Sequence, residues 1–313
     1  MPDRAEKGLT RRRFLEKAGQ GLAAASAFGA MANRAFGQQV PEPPGRKAGW
    51  AIVGLGNLAI NQILPAFAKC EKSKVVALVS GHPDKAAKLA ARYGVSPKAI
   101  YNYQNYDTLK DNPEVDVIYV VLPNSMHAEY TIRGVQAGKH VLSEKPMAST
   151  PGDGQAMIDA AKKAGKKLMV AYRCRYEPFN KEMIRMAREQ ELGPVKVIVA
   201  DHGFNIGDPT QWRLKKEFAG GGSLMDIGIY SLQAARYVTG EEPVEINAVT
   251  YTTPGDVRFK EVEETITSSS ASPAACSPTA PRATDTRVRT STASSRPRAG
   301  SSWSRRPRTP ACA

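Results

Sequence analysis

Ala51-Ile-Val-Gly-Leu-Gly-Asn-Leu-Ala59 is the stretch around which the chain is organised. The apolar run 50–53 reads as a buried parallel strand, Gly54 and Gly56 follow at once, and a helical pattern begins near Asn57. Strand, glycine turn and helix in this order form a dinucleotide-binding unit in its G-x-G-x-x-A form. Gly54 permits the tight turn, Gly56 lets the backbone approach a pyrophosphate, and Ala59 is small enough for the helix to pack on the strand. The pyrophosphate would sit on the free N–H groups of the first helical turn, at Asn57 and Leu58, where the helix dipole is positive. An ordinary glycine turn in an α/β protein is the alternative.

Outward from this turn, strands and helices alternate. Strands are expected at 74–79, near 99–101, and at 116–122, 139–143 and 167–171, with helices at 58–69, from Pro83 to about 93, and at 125–137 and 153–164. Pro83 suits a first helical turn, and the unbroken apolar run 116–122 suits the centre of a parallel sheet. The alternation predicts an α/β fold, a doubly wound parallel sheet over 49–172. The character then changes. Helices are expected at 179–190 and 222–238 and strands at 195–204, 245–252 and 258–267, the start of an α+β domain with a mostly antiparallel sheet. About three strands are too few to close such a core, so 173–267 reads as an incomplete second domain.

The formal net charge is +14, but residues 1–37 carry seven basic and three acidic side chains, and 268–313 carry eight arginines and one aspartate. The body is close to neutral, which argues against a nucleic-acid partner. Thr10-Arg-Arg-Arg-Phe-Leu15 followed by the mild apolar stretch 18–32 reads as a twin-arginine export signal over 1–37. That stretch is too short to span a membrane, so a periplasmic protein exported folded, with no membrane segment in its mature form, is expected. Residues 38–48 form a proline-rich arm or linker. From 268 to 313 there is no Leu, Ile, Phe, Tyr, Met, Lys or Glu. Such a tail is expected to be disordered and to make no packed contacts. It begins inside the apparent strand 263–267, and its Arg, Pro, Ala, Ser, Thr and Cys are what a GC-rich gene encodes out of frame. A frameshift near 267 is therefore expected, with a genuine low-complexity tail as the alternative. Cys70, Cys174, Cys276 and Cys312 show no metal or redox spacing, and His82, His127, His140 and His202 are scattered, so no metal site is expected.

The end of the second strand normally chooses the nucleotide. Here it reads Val79-Ser80-Gly81 with no carboxylate at its tip, and Lys85 follows, which favours the 2′-phosphate of NADP; a solvated surface lysine is the alternative. Val121-Leu-Pro-Asn-Ser-Met-His127 stands at the end of the fourth strand, where ligands collect. Pro123 and Asn124 are candidates to hold the nicotinamide or its ribose. His127 is a ligand, an acid/base group or a packing histidine. Ser143-Glu-Lys-Pro146 ends the fifth strand and places Glu144 and Lys145 at the crevice mouth. Gly220-Gly-Gly-Ser-Leu-Met-Asp-Ile-Gly-Ile-Tyr230 puts Asp226 and Tyr230 four apart on one helix face. A phenol is a weak base near pKa 10, and a Lys145 cation nearby would bring Tyr230 into working range. An amphipathic core helix is the alternative.

Taken with Tyr172-Arg-Cys-Arg-Tyr176 and Gln211-Trp-Arg-Leu214, these motifs over 48–267 make the chain resemble the glucose–fructose oxidoreductase family and its aldose-oxidising relatives. The resemblance implies a Rossmann domain and a periplasmic oxidoreductase that holds NADP tightly. It would oxidise an aldose such as glucose to gluconolactone and reduce a ketose such as fructose to sorbitol. It assigns Lys145 and Tyr230 as the catalytic lysine and tyrosine and Asp226 as the sugar-binding aspartate. Ser80 and Lys85 match the 2′-phosphate contacts, and Arg173, Tyr176, Trp212 and Arg213 match positions near cofactor or sugar. Sugars are the implied partners, with a homo-oligomer if the second domain were complete. An aldose or inositol-type dehydrogenase with exchangeable NAD(P) is one alternative. A nucleotide-binding but inactive truncated product is the other, because the resemblance stops after Thr267.

Overall fold

The structure, a computed structural model, describes residues 45–272 and the backbone of 285–291. The expected export signal, most of the proline-rich arm, Cys276, Cys312 and positions 273–284 and 292–313 lie outside the described residues.

Six parallel strands form the first sheet: β1 (Ala48–Val53), β2 (Ser73–Val79), β3 (Ile100–Tyr101), β4 (Val117–Val120), β5 (His140–Glu144) and β6 (Leu168–Ala171). Their order, β3-β2-β1-β4-β5-β6, reverses between β1 and β4, and a crevice opens at such a reversal, beyond the carboxyl ends of the strands. Ala51, Ile52 and Val53 of β1, Leu78 of β2 and Ile118 and Val120 of β4 are fully buried, as expected of a sheet covered on both faces. The helices include α1 (Leu64–Phe67), α2 (Pro83–Tyr93), α3 (His127–Gln136) and α4 (Pro151–Lys163). The helix after the glycine turn departs from the expected regular one: Ala59–Ile63 is a π-helical turn, and α1 is a single turn behind it. Pro65 has no N–H to continue an α-helical ladder, and the Leu64 N–H reaches back to the Ala59 carbonyl instead.

The second region contains α5 (Pro178–Arg188), β7 (Val197–Gly203), α6 (Lys216–Ala219), the π-helical turn Leu224–Gly228 running into α7 (Ile229–Thr239), β8 (Glu245–Tyr251), β9 (Thr265–Ala271) and β10 (Asp285–Ser291). Its four-stranded sheet has the order β7-β10-β9-β8. The β8–β9 and β9–β10 pairs are antiparallel and the β10–β7 pair is parallel, so the expected mostly antiparallel sheet is present.

The chain also departs from expectation in its last described strands. The strand expected at 258–267 begins later, because the Asp256 side chain caps a 3₁₀ turn at Val257–Phe259, and it runs on to Ala271. The expected lack of packed contacts from 268 onward does not hold for 268–271 and 285–291, the paired residues described there. Ser268–Ala271 pairs with β8, and Asp285–Ser291 lies between β7 and β9 along seven registered pairs. Main-chain ladders need no apolar side chains, so a Ser-, Thr- and Arg-rich segment still pairs where a strand edge is offered.

Candidate active site

Three carboxyl-terminal strand ends lie side by side. Beyond β1, Gly54 turns with φ of +90°, and a Cβ there would meet the Val121 carbonyl oxygen at 2.3 Å. Only glycine combines that dihedral with that approach. Gly56, Asn57 and Leu58 are exposed at the rim, and a Cβ on Gly56 would meet nothing within 4 Å. The open space above this turn and the unpaired N–H groups of a first helical turn fit a pyrophosphate. The Lys85 ammonium stands 3.5 Å from the Leu55 carbonyl, within the same turn. Ser80 is buried at the tip of β2 and its hydroxyl accepts from the His82 N–H. The structure thus places Ser80 at the tip of β2 and Lys85 against the glycine turn. The residues present fit a nicotinamide dinucleotide.

Beyond β4, Asn124 is buried and donates to the Ala219 carbonyl at 2.8 Å, tying Pro123-Asn124 to the end of α6, just before the glycine run. His127 is fully buried, with Nδ1 2.7 Å from the Pro146 carbonyl and Nε2 2.9 Å from the Leu122 carbonyl. Burial lowers its pKa, and the two carbonyls oppose that shift. Both ring nitrogens are engaged by main chain, so His127 is the packing histidine and not a cofactor ligand or acid/base group. It joins the end of β4 to the turn after β5.

Beyond β5, the Glu144 carboxylate accepts from the Tyr119 hydroxyl at 2.5 Å and from the Lys145 N–H at 3.3 Å. Its expected role toward cofactor becomes one of support, because its oxygens already hold the strand and the turn. Burial first, then the Glu144 charge, pushes the Tyr119 hydroxyl far up. Lys145 projects to the second region. Its ammonium donates to the main-chain carbonyl of Asp226 at 2.5 Å and to the Asp226 carboxylate at 2.9 Å. The Arg213 guanidinium takes the other carboxylate oxygen at 3.1 Å while stacking over Trp212. Asp226 is thus held between two cations, one on each carboxylate oxygen, and each oxygen keeps a lone pair able to accept a further hydrogen bond.

Tyr230 lies on the same helix face, its ring 5.3 Å from the Lys145 ammonium and edge-on to Tyr172 at 6.1 Å. Burial raises the Tyr230 pKa above its ordinary value, and Glu144 adds to the rise; a hydrogen bond and the charge of Arg173 oppose it. Lys145 was expected to acidify this phenol. Its charge is shared with Asp226, and Arg173 is the cation that opposes the rise. Tyr176 is half exposed beneath Arg175 and stands outside the Lys145–Asp226–Arg213 cluster. Among the described residues, no group of three or more His, Cys, Asp or Glu could hold a metal ion. Sequence reading missed Glu263, whose carboxylate meets the glycine run, and the Tyr119–Glu144 pair. The triple glycine was the available signal for the first, since a backbone that needs three glycines needs a close neighbour.

Comparison with known proteins agrees with this geometry. A family model described as an oxidoreductase family with an NAD-binding Rossmann fold matches residues 48–172, and a GFO/IDH/MocA C-terminal domain model matches 180–271. The crystal structure of aldose-aldose oxidoreductase from Caulobacter crescentus, complexed with glycerol, shares 50% identity, covers 79% of this chain and 72% of its own, and superimposes with a TM-score of 0.75. The 1,5-anhydro-D-fructose reductase of Ensifer adhaerens is 29% identical over 64% of this chain and 60% of its own length. The D-xylose 1-dehydrogenase [NADP(+)] of Haloarcula marismortui is 30% identical over 63% of this chain and 56% of its own length. The chain thus spans less than two thirds of these two curated relatives. With both domain models matched and half of the aligned residues shared with the Caulobacter enzyme, the chain belongs to the GFO/IDH/MocA oxidoreductase family.

Proposed function

We propose that the protein is an NADP-dependent sugar oxidoreductase that oxidises an aldose such as glucose to its lactone and reduces a ketose such as fructose to the alditol, keeping its nucleotide through both half-reactions. The observation that carries this reading is the Lys145–Asp226–Arg213 cluster beside Tyr230, at the carboxyl edge of a dinucleotide-binding sheet. A bound nicotinamide supplies the hydride acceptor and donor. The Asp226 carboxylate and the Lys145 ammonium are an acceptor and a donor positioned for sugar hydroxyls, and together they orient the sugar. Tyr230 takes the proton from the C1 hydroxyl of the aldose and returns it to the carbonyl oxygen of the second sugar. The choice of NADP is supported by Lys85 beside the glycine turn, by the absence of a carboxylate at Ser80, and by the cofactor in the Haloarcula relative's name.

A second reading of the acceptor is favoured by the 50% identity to an aldose-aldose oxidoreductase: the returning sugar would itself be an aldose. The same proposal has the protein exported folded to the periplasm, supported by Thr10-Arg-Arg-Arg-Phe-Leu15. It also has the protein self-associating, supported by the exposed apolar side chains of β8. The test uses the purified full chain, scanned in the reduced-nicotinamide band without added nucleotide. Glucose should raise the band. Fructose, or a second aldose, should then lower it, and which of them does so identifies the acceptor. A bound nucleotide whose band no aldose raises would sink the reading.

A further inference from the structure

Three consecutive main-chain N–H groups at the entry of the helix that carries Asp226 and Tyr230 end on one residue, Glu263. Gly222 N donates to its carboxylate at 2.8 Å and Leu224 N to the other carboxylate oxygen at 2.9 Å. Ser223 N donates to its main-chain carbonyl at 3.2 Å. The approach is so close that a Cβ on Gly222 would meet the Glu263 carbonyl oxygen at 2.0 Å. The first N–H groups of a helix have no partners within it, and a carboxylate there is favoured by the dipole. Glu263 is held in turn by its flanks: Val262 and Glu264 are buried, and Glu264 accepts from Thr253 N at 2.7 Å on the other side of the chain.

Asp226 sits in the turn this carboxylate fixes, its N–H bonded to the Gly222 carbonyl at 3.1 Å, and Tyr230 follows one turn later. Lys145 grips Asp226 from the first domain. Glu263, just before β9, grips the same turn from the second. We propose that Glu263 is a positioning residue for the reaction, fixing the helix entry so that Asp226 and Tyr230 meet Lys145. This rests on the proposed sugar chemistry of those three residues.

The experiment compares full-chain Glu263→Gln, Glu263→Ala and Tyr230→Phe, reading nucleotide affinity, aldose KM and kcat per nucleotide-loaded site. Misplacing reacting groups by about 1 Å costs up to about a hundredfold. Glu263→Ala should therefore lose about ten- to a hundredfold in kcat/KM, with aldose KM raised and nucleotide affinity within about twofold. Glu263→Gln keeps one acceptor oxygen and should recover part of the loss. A residue that only supported the fold would lower the melting temperature and leave KM and loaded-site kcat unchanged, which overturns the proposal. Should Glu263→Ala fail to fold, Glu263→Gln decides alone, and parental kcat/KM in it overturns the proposal. An inactive Tyr230→Phe beside a fully active Glu263→Gln defeats the positioning role only. An active Tyr230→Phe beside an impaired Glu263→Gln defeats the proton-transfer role and leaves the positioning of Asp226 standing.

Discussion

Strand β1 buries Ala51, Ile52 and Val53 completely, whereas each residue of β8 from Glu245 to Tyr251 is exposed. The contrast runs through both halves. The centre of the parallel sheet is covered on both faces and shares one large apolar core with its helices. The second region's separate apolar cluster is Ile206, Leu214, Phe259 and Val262, and polar devices join it around the candidate site: the Glu263 cap and the Asp226 ion pairs. Apolar burial is non-directional and tolerant of detail. Hydrogen bonds to charged groups fix geometry and are costly to break. The first half is therefore a firm scaffold for the glycine turn at its edge, and the second aims a few side chains through directional contacts.

The sharpest test of that division removes one proton carrier. Tyr230→Phe keeps the ring against Tyr172 and should cut turnover by about 10²–10⁴-fold, the usual size of general acid–base catalysis, with nucleotide binding unchanged. Because burial and Glu144 hold the phenol above its ordinary pKa, aldose oxidation by the parent should climb with pH on the alkaline side. The variant should lose that climb. Near-normal turnover in either direction would show that the second half does not supply the proton carrier.

A matched pair of glycine substitutions breaks each half separately. Gly54→Ala forces a side chain into a positive φ and against the Val121 carbonyl. It should cost about 1–3 kcal/mol and weaken nucleotide binding about tenfold or more. Gly222→Ala drives a methyl into the Glu263 main chain. It should spare nucleotide affinity and lower aldose kcat/KM by about tenfold or more. Equal loss of both functions in both variants, read by nucleotide titration and initial rates, would mean the halves are not separable. Lys85→Ala sharpens the first half further. One charge-assisted contact is worth roughly 1.5–3 kcal/mol, so the preference for NADP over NAD should fall about tenfold, and an equal loss for both nucleotides would remove the 2′-phosphate role.

The parallel sheet was legible in the sequence because both its signals are local: apolar runs bounded by turn residues, and Gly54 and Gly56 directly after one of them. That Lys145 stands at a strand end and that Asp226 and Tyr230 share a helix face was legible from strand ends and helix periodicity, while their roles were assigned by the family resemblance. What escaped was the pairing of residues far apart in the chain. His127 resembles a ligand in its motif, and only the two carbonyls brought to its ring make it a packing group. Glu263 resembles one more acidic residue of the expected strand 258–267 until the fold sets it beneath Gly222. The Thr- and Arg-containing β10 escaped because strand pairing uses the main chain, on which side-chain composition is silent.

The smallest expected effect bears on the most exposed surface. Val249 on β8 is 73% exposed, so it buries little apolar area in a single chain. Val249→Thr keeps the branched shape suited to a strand and should shift stability by no more than about 0.5 kcal/mol, as surface substitutions do. Truncating Ile52, fully buried in β1, to Ala should cost about 2–5 kcal/mol. The pair measures, in one thermal series, how differently the two sheets depend on side-chain burial. If Val249→Thr instead lowers stability by more than about 1 kcal/mol, and the parent's melting temperature rises with protein concentration, the β8 face is covered in solution by another copy of the chain, since association stabilises by mass action. The contrast between the sheets would then belong to the isolated chain, and the second sheet would complete its burial between subunits.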